Sequence, residues 1–235
     1  MRKYLFCLLF AALALCSCSN GDEDSDNGAY DPPKHTSYLI PWYEFINKIS
    51  VLQYKHNDGS SRYLIMFSKS HIHGWNKNHI EQHSYFSNLY GDTSYKGLTY
   101  RLSHPAFAYP FDKVTMSCDS DFDAKHLAGE PLDDIVMLSF GSWWEFIQNG
   151  YEYPEGCVLP QYPEDSDKNE KTIGEIMYNK YLSDINFDNS KLINSHRQPE
   201  VIFTTSPATP GEYTFTLELT TNGETFTTTF TKKFE

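Results

Sequence analysis

Four histidines lie close together and are the first candidates for chemistry in the sequence. His71 and His73 are two residues apart, so on a strand both rings would point to one face. His79 and His83 are four residues apart, so on a helix they would share a face. Such pairs bind zinc or copper. The sequence His79-Ile-Glu-Gln-His83 departs from the H-E-x-x-H order of zinc proteases, which argues against a site of that kind. Two interpretations of the segment therefore remain: a metal site or a solvated loop.

Four acidic residues have the spacing of a calcium-binding loop. Asp119, Asp121 and Asp123 alternate, and Glu130 occupies the twelfth position counted from Asp119. Ala124 stands where the sharp turn of an EF-hand requires glycine, and the flanking segments have strand character. Two interpretations remain open: a calcium site of another loop geometry, or a turn whose carboxylates accept backbone N–H bonds. No cofactor is expected beyond calcium or zinc.

Several aromatic residues are candidates for a ligand-binding surface. Their rings can stack on sugars, although most such residues fill protein cores. The candidates are Trp75, Trp143, Trp144, Tyr151 and Tyr153.

The sequence lacks the common enzyme motifs. It has no G-x-S-x-G, Walker loop or G-x-G-x-x-G. The net charge of −12 argues against a nucleic acid partner, because that affinity comes from Lys and Arg neutralising phosphates. We therefore expect a non-catalytic binding or interaction module whose ligand is a surface glycan or a protein. A surface hydrolase of glycan or peptide, and a metal-capture protein using the His71–His83 cluster, are the alternatives.

The N-terminus has the features of an export signal. Arg2 and Lys3 precede an apolar run that is too short to span a bilayer, which takes about 20 residues. The run ends in Leu-Cys-Ser-Cys, which resembles a bacterial lipobox with Leu15 at −3 and Cys18 at +1. The resemblance implies lipidation of Cys18 and attachment to the membrane through acyl chains alone.

The segment after Cys18 is acidic and lacks apolar residues, as expected of a solvated tether. It resembles the export signal of surface lipoproteins of Bacteroidetes, which implies an outer-membrane protein that faces the cell exterior. The block Lys113–Phe140, with its D-x-D-x-x-H-x-A-G turn, likewise resembles uncharacterised lipoproteins of gut Bacteroidetes. The resemblance to that family implies a location at the outer membrane, but it implies no enzymatic activity.

Two cysteines remain outside the signal and the lipidated position. Cys118 and Cys157 are candidates for a disulfide, which an extracytoplasmic location would permit. Alternatively, each is a small buried apolar residue.

The remaining pattern predicts a mainly β protein. Segments 37–55 and 62–68 flank Asp58-Gly59, a hairpin signal, and further strands are expected at 97–103, 113–118 and 134–140. Two short helices are expected, one after the S-W-W-E sequence at Ser142 and one from Thr172 to Tyr181, and residues 78–90 also have helical character.

The C-terminal region resembles strands E, F and G of an immunoglobulin-like sandwich. Tyr213, Phe215, Leu217 and Leu219 alternate with polar residues before an Asn-Gly turn. Tyr213 occupies the place of the tyrosine corner. We expect an immunoglobulin-like antiparallel β-sandwich elaborated with two short helices and long loops.

The predicted organisation has three parts. They are a signal peptide at 1–17, a lipidated cysteine and tether at 18–36, and one sandwich domain at 37–235. The alternative divides the last part into an N-terminal β subdomain at 37–110 and an immunoglobulin-like domain at 111–235.

Overall fold

A computed structural model describes residues 37–55, 61–96, 104–158 and 174–235. These residues belong to one compact unit. The helices and strands are β1 (Trp42–Lys55), β2 (Ser61–His73), α1 (Ile80–Leu89), β3 (Ala106–Phe107), β4 (Phe111–Cys118), β5 (Val136–Ser142), α2 (Trp144–Gln148), β6 (Ile176–Tyr181), β7 (Glu200–Phe203), β8 (Gly211–Thr221) and β9 (Glu224–Phe234). A 3₁₀ turn, Leu182–Asp184, follows β6. Among the described residues, no helix is long and apolar enough to cross a membrane.

The strands form two sheets with the connectivity of an immunoglobulin domain. The six-stranded sheet has the order β3-β1-β2-β7-β5-β6, and the three-stranded sheet has the order β4-β8-β9. Strands β1, β2, β7 and β5 correspond to A, B, E and D, while β4, β8 and β9 correspond to C, F and G. The additional strands β3 and β6 lie at the edges of the larger sheet, and β3 pairs with β1 in parallel. The mainly β sandwich prediction is confirmed.

The C-terminal hairpin forms as the alternation predicts. Asn222 and Gly223 have φ values of 50° and 76°, the left-handed conformation that a type I′ turn requires at both positions. The Tyr213 hydroxyl donates to the Thr209 carbonyl at 2.7 Å, which is the hydrogen bond of a tyrosine corner. Phe215 is fully buried between the sheets.

The first predicted hairpin also forms. Strands β1 and β2 pair along nearly their whole length, with a register shift between Ile46 and Lys48. Its predicted turn at Asp58-Gly59 lies outside the described residues, as does the predicted strand at 97–103.

The prediction of a helix from Thr172 to Tyr181 was wrong. The described part of this segment is strand β6, which pairs with β5 from Ile176 opposite Ser142 to Tyr181 opposite Met137. Pairing with a neighbouring strand outweighed the weak helical spacing, and Gly174, at φ +89°, has a backbone conformation incompatible with a helix. The second helix is α1, within the segment of helical character.

Helix α2 forms where expected but without the predicted capping box. Ser142 lies in β5, one residue before the N-cap Trp143, and α2 has no side-chain cap at its N-cap. The Ser142 hydroxyl accepts the Trp144 N–H at 3.0 Å and donates to the Lys191 carbonyl at 2.7 Å. Its role is therefore to hold the strand end against the segment before β7.

Two hydrophobic clusters stabilise the fold. The larger lies between the sheets and includes Ile65, Met116, Phe122 and Phe215. The smaller includes Tyr43, Phe86 and Trp143, and it joins both helices to the six-stranded sheet. The six-stranded sheet contains β1, β2 and β3, which precede residue 110, and β5, β6 and β7, which follow it.

Candidate functional site

Indole and imidazole rings gather where β1 begins and β2 ends. The register places Trp42 opposite His73 and Glu44 opposite His71, so the four side chains share one face of the strand pair. A segment before β7 adds His196. We call this group the indole–imidazole cluster; its members are Trp42, His71, His73, Trp75, His79 and His196.

The rings of the cluster are close enough to form one surface. Trp42 and Trp75 meet at a near right angle of 84°, with centroids 5.8 Å apart. His73 stacks on Trp75 at 4.3 Å and contacts His71 at 4.4 Å, and His196 lies 5.5 Å from Trp42. Trp75 is 36% exposed, and His71 and His196 are also exposed. A ligand in solution can therefore reach both indole and imidazole groups.

A buried ion pair supports the cluster from below. Glu44 is only 6% exposed and forms a salt bridge with Lys69. Its other carboxylate oxygen accepts the Trp42 indole N–H at 3.2 Å, while the Lys69 ammonium donates to the Ser195 carbonyl at 2.8 Å. Burial alone would raise the pKa of Glu44, but the hydrogen bonds from Lys69 and Ser195 and the positive charge of Lys69 lower it on balance. The carboxylate is thus ionised and fixes the Trp42 ring.

A second buried pair fixes the segment that contributes His196. Glu175 is fully buried and accepts from Arg197 Nε and from Asn194 Nδ2, both at 2.8 Å. Gly141 makes room for this carboxylate, because a Cβ there would lie 1.9 Å from a Glu175 oxygen. Asn194 in turn accepts the backbone N–H of His196 at 2.9 Å. Both ion pairs therefore hold the ligand-accessible rings on a preorganised base.

Two imidazoles of the cluster, those of His73 and His196, favour the neutral form. Burial lowers the pKa of His73 to about 4, and the neighbouring His71 and His79 add to the effect. Burial also lowers the pKa of His196. Both shifts favour the uncharged imidazole at neutral pH, and the charges of Glu44 and Lys69 beneath the cluster offset one another.

The structure brings together three of the four histidines predicted as metal ligands. His71, His73 and His79 belong to the cluster, but His79 Nδ1 accepts the backbone N–H of His73 at 3.3 Å. His83 lies apart, buried and hydrogen-bonded to the Ile40 carbonyl at 2.9 Å. Within the described part of the chain, no group of three or more His, Cys, Asp or Glu side chains is arranged to hold a metal ion.

Three of the four acidic residues proposed for calcium accept hydrogen bonds from backbone N–H groups. Asp121 accepts the Ala128 N–H at 2.8 Å, and Asp123 accepts the Lys125 N–H at 2.7 Å. Asp119 accepts the N–H of a residue in β8 at 3.2 Å. Glu130 is exposed. These bonds match the interpretation in which the carboxylates organise a turn.

The remaining aromatic candidates do not form a single platform. Trp143 is fully buried, with its indole N–H donated to the Pro105 carbonyl at 3.0 Å. Trp144 is half-buried beneath the Lys191 ammonium. Tyr151 donates to Asp92 at 3.1 Å, and the Tyr153 hydroxyl accepts a backbone N–H. Trp75 is therefore the one aromatic candidate that the structure places in the cluster.

The two cysteines are free thiols in the structure, so it does not contain the disulfide that was considered. Cys118 is buried in the larger hydrophobic cluster, whereas Cys157 packs against the smaller one. Burial raises the pKa of the Cys118 thiol, consistent with an inert apolar role. The predicted lipidation position, Cys18, lies outside the described residues.

Sequence reasoning missed Trp42, Glu44, Lys69, Glu175 and Arg197. The alternation of Trp42 with Glu44, and of Lys69 with His71 and His73, places each set on one face of its own strand, but it does not place both sets on the same face. No local signal connects Glu175 to the segment that Arg197 belongs to, because their contact depends on the fold.

The comparisons with known proteins gave no match: no protein-family model, curated protein or solved structure matches this chain.

Proposed function

We propose that this chain is a lipid-anchored protein of the outer membrane, facing the cell exterior, that binds carbohydrate without catalysing a reaction. The ligand would bind at the indole–imidazole cluster. The observation on which the proposal depends is the corner that the exposed Trp75 makes with the half-buried Trp42, with the exposed His71 and His196 beside it. The lipobox at Leu15–Cys18 and the acidic segment after it support the location.

The chemistry of the cluster suits an uncharged sugar. An indole face packs against the apolar C–H face of a sugar ring, and neutral imidazoles can both donate to and accept from its hydroxyl groups. Glu44 and Glu175 are buried and each forms a salt bridge, with Lys69 and Arg197 respectively. This arrangement favours binding over glycoside hydrolysis, which uses two carboxyl groups that flank the scissile bond.

A glycan array probed with the full-length chain tests the proposal. Trp75→Ala should weaken binding to the selected glycan by about tenfold or more, equivalent to about 1.4 kcal/mol. The matched control is Tyr85→Ala, because Tyr85 is an exposed aromatic residue on α1 outside the cluster. If no glycan is retained, or if both variants weaken binding equally, the proposal is wrong.

A further inference from the structure

A lysine occupies a core-facing position of β9. Successive side chains of a strand point to opposite faces, and on β9 both Phe230 and Phe234 pack into the larger hydrophobic cluster. Lys232 lies between these two phenylalanines in the alternation, so its side chain is directed to the same side and is half-buried. The next residue, Lys233, is exposed on the other face. The position of Lys232 is thus one at which the pattern of the strand calls for an apolar residue.

Aromatic rings surround the ammonium group of Lys232. Its Nζ lies 4.7 Å from the ring centroid of Tyr63, 4.8 Å from that of Phe234 and 5.4 Å from that of Phe203. All three distances are within the cation–π range, which extends to about 6 Å. Tyr63 and Phe203 belong to the six-stranded sheet, so the ammonium lies between the two sheets. Burial lowers the pKa of Lys232, because partial removal from water disfavours the charged form.

No carboxylate of the described residues balances this charge. Lys232 forms no salt bridge in that part of the chain. Glu200 is close by, but it is paired with Arg62 at 3.6 Å. A charge that is withdrawn from water is normally paired with an opposite charge. The ammonium of Lys232 is therefore available to an anion from solution, even though the chain has a net charge of −12.

The ammonium faces an open pocket of about 360 Å³. Small-molecule sites have volumes of about 300–1,000 Å³, so this pocket suits a small ligand. Its walls combine the aromatic rings around Lys232 with the hydroxyl-bearing residues Ser61, Thr205 and Ser206. The Ser61 hydroxyl accepts from Gln53 Nε2 at 3.1 Å, which leaves its own hydrogen free to donate to a ligand.

These groups together select one class of ligand. A single ammonium balances a single negative charge, and hydroxyl groups can donate to the oxygens of a carboxylate. The rings offer an apolar surface to the body of the ligand. A phosphate dianion would keep an unbalanced charge, and the ammonium of a zwitterionic amino acid would lie beside that of Lys232.

We propose that this pocket binds a small monocarboxylate with an apolar, ring-sized body, and that Lys232 binds its carboxylate group. The proposal goes beyond carbohydrate binding and is independent of it, because the pocket shares no residue with the indole–imidazole cluster.

Isothermal titration calorimetry of the full chain tests the proposal with phenylacetate as the probe. A nonionic detergent solubilises an acyl anchor, and the heat of titration into detergent alone is subtracted. Phenylacetamide is the matched uncharged probe, and inorganic phosphate tests whether any anion suffices. We expect phenylacetate to bind, and the amide and phosphate to bind at least about tenfold more weakly, because a hydrogen bond to a charged group contributes more than one between neutral groups.

Lys232→Met tests the role of the lysine, since it removes the charge and suits a core-facing position. It should weaken phenylacetate binding by at least about tenfold and abolish the preference over the amide. Lys233→Met is the matched control, because it removes the same charge from the opposite face of the same strand, and it should leave the affinity unchanged. Circular dichroism confirms that each variant is folded.

An inward-facing lysine on an edge strand can also serve only to prevent the edges of two sheets from pairing, a role that needs no ligand. Lys232→Gln keeps the position polar, so it repeats the measurement without adding apolar surface at the edge. The proposal is overturned if phenylacetate gives no heat of binding at millimolar concentrations, or if the amide or phosphate binds as tightly. Phenylacetate binding that survives Lys232→Met and Lys232→Gln, or that Lys233→Met weakens equally, would also overturn it.

Discussion

The buried carboxylate of Asp92 should make the stability of the fold depend on pH in an unusual direction. Asp92 is fully buried and accepts the N–H groups of Leu39 and Ile40, each at 2.8 Å, and the Tyr151 hydroxyl. It thereby fixes the segment that leads into β1 and Trp42. Burial raises its pKa from 3.8 to about 6, although these three hydrogen bonds oppose the shift.

The raised pKa determines the sign of the effect. Because the folded state holds this proton more tightly than the unfolded state, the contribution of Asp92 to stability is largest below about pH 4 and falls until about pH 6. The difference of about two pKa units corresponds to about 3 kcal/mol, at 1.36 kcal/mol per unit. Most acids that are salt-bridged in a folded protein show the opposite trend.

Asp92→Asn isolates this contribution, because the amide has nearly the same shape and does not titrate. Urea unfolding followed by tryptophan fluorescence gives the free energy of unfolding of both proteins at each pH, and the shared titrations of other groups cancel in the difference. We expect the wild-type value minus the variant value to fall by about 3 kcal/mol between about pH 4 and pH 7.

Tyr151→Phe is the companion variant. It removes a hydroxyl that stabilises the ionised form of Asp92. The pH range over which the contribution of Asp92 to stability falls should therefore move to higher pH. The opposite result is that the free energy of unfolding of the wild type minus that of Asp92→Asn stays constant or rises with pH. That result would refute the argument that burial raises the pKa of Asp92.

Three further predictions concern the anchor, the fold and the acidic turn. Cys18→Ala should release the protein from membranes, and continued membrane association in cell fractionation would contradict the lipobox assignment. Tyr213→Phe should lower the free energy of unfolding by about 0.5–1.5 kcal/mol, because the hydrogen bond from the buried Tyr213 hydroxyl to the Thr209 carbonyl is lost; a loss under about 0.3 kcal/mol in urea denaturation would mean that this bond contributes nothing to stability. Millimolar calcium should not raise the melting temperature relative to a chelator, since Asp121 and Asp123 already accept backbone N–H groups; a calcium-specific rise abolished by Asp121→Ala would establish a site.

The elements that sequence analysis predicted best are those with strictly local signals. The alternation around Phe215 and the Asn222-Gly223 turn specify a hairpin within one short segment, and Tyr213 marks its corner. The segment ending at Tyr181 was misassigned because its apolar residues fit both a helix and a strand. Only pairing with β5, which is distant in sequence, decides between them.

The candidate site depends on a structural detail that periodicity cannot reveal. Between Ile46 and Lys48 the pairing of β1 with β2 shifts by one residue. Counted from the hairpin turn, such a shift reverses the face that the β1 residues beyond it occupy, which here are those on its N-terminal side. The bulge therefore places Trp42 and Glu44 on the face of His71 and His73, whereas uninterrupted alternation would have directed them to the opposite face.

The same bulge explains why ionised groups can be buried next to the cluster. By bringing Glu44 to the face of Lys69, it provides the carboxylate with the counter-ion that it needs away from water. Removing Glu44 leaves the charge of Lys69, whose side chain is 21% exposed, without its counter-ion, so we expect a cost below the value of about 3–5 kcal/mol that is typical of fully buried pairs. Glu44→Ala should therefore destabilise the fold, while Trp75→Ala, at an exposed ring, should alter ligand binding with little effect on stability. This separation of roles follows from the geometry: the buried ion pair maintains the position of Trp42, and the exposed rings remain available to a ligand.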